Sequence, residues 1–104
     1  MNKYKVIISS RAYSNILECV SFVKKVSLEA AQKLYKEIIT TINSLSDFPD
    51  RYPEINGFKL AGNPIRKLLL DDGRYAILYQ VISKDVLIYD ILDNRKDNKL
   101  LSHI

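Results

Sequence analysis

The sequence has 104 residues, 47% of them hydrophobic, and carries 16 Lys and Arg against 12 Asp and Glu for a net charge of +4, which fits one domain spanning 1–104 around one core. One cysteine, Cys19, and one histidine, His103, exclude an internal disulfide and a zinc ligand set, so neither a metal nor another cofactor is expected. The apolar run Val6, Ile7, Ile8 is too short for a signal peptide or a membrane span, and a cytoplasmic protein without membrane contact is the expectation.

Residues 3–9, KYKVIIS, alternate Tyr4, Val6 and Ile8 on one face and predict a first strand. Ser10 is a candidate N-cap for a helix whose apolar positions are Tyr13, Ile16, Leu17, Val20 and Val23. Ser27 caps a second helix, with Glu29 in its first turn and a stripe of Leu28, Ala31, Leu34, Tyr35, Ile38, Ile42 and Leu45. Pro49 and Pro53 in FPDRYPEI forbid its continuation, and the short joint between the helices predicts an antiparallel hairpin. A loop with Gly57, Gly62 and Pro64 follows. Three strands then read as 65–70, 75–82 and 86–93, joined by DDGR and SKD. The layout is α+β, with the hairpin covering one face of an antiparallel meander.

Pairing Leu70 with Tyr75 and Ile82 with Val86 assigns the faces. Leu68, Leu70, Ile77, Tyr79, Val81, Leu87, Tyr89 and Ile91 fall beneath the hairpin. Ile65, Lys67, Leu69, Leu78, Gln80, Val86, Ile88, Asp90 and Leu92 fall on the other face, which is largely apolar. Either a partner covers that face or the segments 54–64 and 98–104 fold over it. Both segments are short and polar, so a partner is favoured, and a chain without its partner is expected to self-associate. Arg66 points toward the hairpin in this register and is expected to pair with a carboxylate such as Asp93.

The order FPDRYP, then Arg66-Lys67-Leu68, then GRYAILYQV, then a final strand ending in LDNRKD, resembles the RelE/ParE superfamily of toxins from type II toxin–antitoxin systems, which includes plasmid stabilization proteins. The resemblance spans nearly the whole chain. It implies a growth-inhibiting toxin neutralised by a cognate antitoxin, acting either on ribosome-bound mRNA or on DNA gyrase. RNA cleavage through the ribose 2′-hydroxyl needs proton transfer groups and cations that stabilise a phosphorane. Against the nuclease pattern, Lys67 and Arg95 fall on family cations and are the catalytic candidates. Leu69, Ala76 and Leu101 replace a lysine, an arginine and a tyrosine.

The resemblance therefore implies a ParE-like or degraded member. The alternatives are a RelE-like ribosome-dependent endonuclease, or a binding module that kept the fold without toxicity. The residues assigned to the partner surface are Ile65, Lys67, Leu69, Leu78, Val86, Ile88, Leu92 and Arg95. The charges of LDNRKD are either part of that surface or a solvated strand end.

Overall fold

The structure, a computed structural model, describes residues 3–94. Strand β1 (Lys5–Ile8) leads into helices α1 (Ser10–Lys24) and α2 (Leu28–Ser44), then a 3-10 turn at Pro49–Arg51 and four strands: β2 (Glu54–Leu60), β3 (Asn63–Leu70), β4 (Tyr75–Ile82) and β5 (Asp85–Asp93). The helix starts follow local chemistry. The Ser9 hydroxyl accepts from the Ala12 amide at 3.0 Å and caps α1 one residue earlier than expected, and Ser27 does the same for Ala30 at 3.1 Å in α2.

The strands form one sheet in the order β1-β5-β4-β3-β2, with β1 parallel to β5 and the others antiparallel. The α+β layout with the helix hairpin on the sheet is as expected. The meander is wider by two strands, since β1 joins its β5 edge and the segment read as a loop forms β2. The helices lay Ala12, Ile16, Leu34, Ile38, Ile42 and Leu45 onto Leu68, Leu70, Tyr75, Ile77 and Tyr79 of the sheet. Tyr13 and Leu17, expected on the buried stripe of α1, sit on its flank and are exposed. Ala12 and Ile16 centre the face that is buried.

β5 departs from the expected register at one point. Leu70 pairs with Tyr75 as read, and Leu78 pairs with Asp90, but Tyr79 then pairs with Ile88, leaving Tyr89 as an extra residue. Beyond this bulge the ladder ends in Ile82 opposite Asp85, across a two-residue turn in which Ser83 takes φ 56. The three-residue SKD turn is thereby corrected, and one added residue in β5 inverts the faces of its first half. Val86 and Ile88, expected on the open face, are fully buried in the core with the helices. Tyr89 moves the opposite way and packs with the second face.

The second face is also less open than expected. Ile65, Leu78 and Leu92 are 0%, 2% and 5% exposed and cluster with Ile55 of β2. The β3–β4 ladder begins only at Arg66. Ahead of it, the Gln80 side chain donates to the Leu60 and Asn63 carbonyls at 2.7 and 3.1 Å, tying the β2–β3 tip to this face.

Candidate functional site

Alternation along β3 puts Ile65, Lys67 and Leu69 on the second face, with Lys67 opposite Leu78 and Leu69 opposite Ala76. Leu69 is 52% exposed and Lys67 is half-buried, while Ile65, Leu78 and Leu92 form the floor beneath them. Of the residues assigned to the partner surface, Lys67 and Leu69 remain accessible. Ile65, Leu78 and Leu92 support that surface from below, Val86 and Ile88 lie on the other side of the sheet, and Arg95 lies outside the described residues.

At the β5 edge the surface gains a cation that sequence reading missed. β1 pairs only with Asp85–Ile88, so the first turns of α1 lie against the bulge instead. The Ser9 hydroxyl donates to the Tyr89 carbonyl at 3.0 Å, and Arg11 Nη1 donates to the Tyr89 hydroxyl at 3.0 Å with its guanidinium 5.7 Å from the ring centre. Asp90, 7% exposed, accepts from Asn15 Nδ2 at 2.7 Å and from the Ile91 amide at 2.8 Å, with Arg11 Nε 3.9 Å away. A buried carboxylate is thus satisfied by the backbone turn it stabilises. The only sequence trace is the i, i+4 spacing of Arg11 and Asn15 on one side of α1.

Arg66 pairs with a carboxylate as expected, but with Glu54 instead of Asp93. Its Nη1 donates to the Asp50 and Tyr52 carbonyls at 3.0 and 2.6 Å, and its Nη2 meets Glu54 at 3.3 Å, so it pins the segment after α2 to β3. The same segment is held by Tyr79, whose hydroxyl donates to the Pro49 carbonyl at 2.5 Å. Burial pushes the Tyr79 hydroxyl up to about 12, against the lowering pull of Arg66. At the opposite end of the sheet, Asn94 continues the line of β5: its amide donates to the Arg74 carbonyl at 2.7 Å and its side chain to the Gly73 carbonyl.

Chemically this face suits binding more than proton transfer. Lys67 stands among Leu69, Ala76 and Leu78, and the carboxylate of Asp90 is already engaged. Among the described residues no group of three His, Cys, Asp or Glu could hold a metal ion, and no helix is long and apolar enough to cross a membrane.

Comparison with known proteins gives the same outline. A chain of the chromosomal ParDE toxin–antitoxin system from P. aeruginosa superposes with a TM-score of 0.70 at 16% identity, covering 89% of this chain and 98% of that one. A variant of the E. coli toxin RelE in its free state superposes with a TM-score of 0.50 at 19% identity, covering 98% of both. At these identities the likeness is one of fold. No curated protein matches the sequence significantly. The sequence model of the family described as ParE toxin of type II toxin–antitoxin system, parDE, matches residues 6–98. That match runs from β1 past the end of β5 and takes in both helices and the whole sheet, so the chain belongs to the ParE toxin family of type II toxin–antitoxin systems.

Proposed function

We propose that this chain is a growth-inhibiting toxin of the cytoplasm that acts by binding, with DNA gyrase as its target, and that a cognate antitoxin neutralises it by covering the second sheet face. The observation that carries this reading is the composition of that face. Where a RelE-like nuclease would need a second lysine and an arginine, this sheet presents the exposed Leu69 and the fully buried Ala76. Among the described residues of this face Lys67 can supply a cation to a phosphorane, but the groups that could move a proton, Asp90 and Tyr89, are already bonded to Asn15, the Ile91 amide and Arg11.

For the antitoxin, Leu69, Lys67, Tyr89 and Arg11 present apolar area between two cations, which suits an acidic amphipathic segment. Hydrophobic contact then carries the affinity, and rim ion pairs of about 0.2–1 kcal/mol each mainly speed the encounter.

Induced expression followed by two assays tests the proposal. Growth arrest with inhibited gyrase supercoiling and intact ribosome-bound mRNA supports it. Arrest with mRNA cleavage that is lost in Lys67→Ala would replace it with the endonuclease, and unaffected growth would replace it with a non-toxic binding module.

A further inference from the structure

The FPDRYP motif contributes nothing to the sheet face, yet its first residue is held in an unusual way. Phe48 is 76% exposed and sits in the left-handed region at φ 52, ψ 57, where a bulky side chain is an outlier. Its surroundings prevent relaxation. The Pro49 carbonyl is held by Tyr79, the Asp50 and Tyr52 carbonyls by Arg66, and Arg51 bonds back to the Asp47 carbonyl at 3.2 Å and the Ser44 hydroxyl at 3.3 Å. The ring is therefore presented on a rigid support and loses little freedom when buried, which is what a binding anchor needs.

A receptor for such a ring lies beside the first half of α2. Between α2, the end of α1 and the β3–β4 turn is an open cleft of about 220 Å³, apolar at Val23, Ala30, Leu34 and Tyr75 and edged by charged side chains. A benzene ring fits an enclosed apolar cavity of about 150 Å³, so the cleft has room for the ring. Phe48 cannot fill the cavity of its own chain, because Glu37, the last cavity residue on α2, stands seven residues before the helix ends, about 10 Å at the usual rise, and Phe48 lies beyond that end. The charges match between copies: Asp47 and Asp50 beside the ring suit Lys33 and Arg74 on the cavity rim, and Arg51 suits Glu37 and Asp71.

We propose that the free protein associates head to tail, Phe48 of one copy entering the cavity beside α2 of the next. A knob and a pocket on different surfaces make a heterologous contact that does not close on itself unless the rotation forms a ring, so growth past the dimer is expected. The contact leaves Lys67 and Leu69 free.

Sedimentation velocity over a wide range of concentration tests this with the full chain. The unaltered protein is expected to form species larger than a dimer as concentration rises. Phe48→Asp removes the knob, Ala30→Arg fills the pocket, and each alone is expected to stay monomeric with an unchanged circular dichroism spectrum. Mixed in equal amounts they should form one dimer and stop, since only one knob and one pocket remain. Phe48→Gly, which relieves the backbone while removing the ring, should also be monomeric. An unaltered protein that is monomeric throughout, association that survives Phe48→Asp, or a mixture that stays monomeric would each overturn the proposal. So would a monomeric protein whose Phe48→Asp variant loses only its antitoxin, which would assign the ring to that partner.

Discussion

The Tyr79 hydroxyl, on β4, donates to the Pro49 carbonyl at 2.5 Å and so joins the centre of the sheet to the turn that ends the helix hairpin. Burial holds this phenol at about 12, against the ordinary 10. Below pH 10 it is neutral in folded and unfolded chains alike, and its stabilising bond is intact. Between pH 10 and 12 the unfolded chain ionises there and the folded one does not, so stability falls as pH rises through that window. Tyr79→Phe should remove this part of the alkaline loss. At neutral pH it should cost about 1–3 kcal/mol, because it strands the Pro49 carbonyl. Urea unfolding at a series of pH values measures both effects.

The faces of β5 and β3 make opposite predictions for lysine. Ile88→Lys places an uncompensated charge in the core beneath the helices and should prevent folding, and Leu78→Lys should do the same on the other face. Leu69→Lys, at a position 52% exposed, should change stability by no more than about 0.5 kcal/mol. Thermal unfolding of the three variants distinguishes this arrangement from one in which Ile88 lies on an open surface.

Relief of the backbone at Phe48 should stabilise the chain. A non-glycine residue in the left-handed region costs roughly 1–2 kcal/mol, glycine there does not, and the exposed ring contributes little burial. Phe48→Gly is expected to raise stability by about 0.5–1 kcal/mol after the entropy lost by the more flexible unfolded chain. A lower melting temperature would show that the ring packs on its own chain.

The bulge in β5 should depend on a side chain far away in sequence. Asp90→Ala removes the acceptor for both Asn15 and the Ile91 amide and should cost about 1–3 kcal/mol, with faster hydrogen exchange at Ile91. In a double-mutant cycle, Asn15→Ala and Asp90→Ala should couple by about 0.5–3 kcal/mol, as groups in one network do. Strict additivity would separate α1 from the bulge.

Much of this fold could be read from local pattern. The helix cap at Ser27, that of α1 to within one residue, the hairpin, and the alternation of Leu68 with Leu69 and Ile77 with Leu78 depend on neighbours in sequence. β2 could not be read so easily, since Asn56 and Gly57 interrupt EINGFKL, Gly57 takes φ 70, and pairing to β3 breaks between Glu54 and Lys59. The β5 faces were missed for a different reason. A period of two carries no mark of an inserted residue, and both the bulge and the short turn at Ser83 are settled by partners across the sheet. At the candidate site, Lys67 followed from alternation within one strand. Arg11 did not, because its contact with Tyr89 spans 78 residues.

The parallel pairing of β1 with β5 also sets a schedule for the newborn chain. Lys5–Ile8 find their partners only at Asp85–Ile88, and the Ser9 hydroxyl bonds to the Tyr89 carbonyl 80 residues away. At about 5–20 residues per second, a ribosome takes roughly 4–16 s to polymerise the intervening stretch. Until the last strand emerges, β1 has no strand neighbour, Asn15 has no Asp90 to bond, and the helices cover an unfinished sheet. A polypeptide cut short before β5 therefore lacks the β1–β5 and β4–β5 pairings together, so incomplete translation should yield a species for proteolysis rather than a partly active toxin.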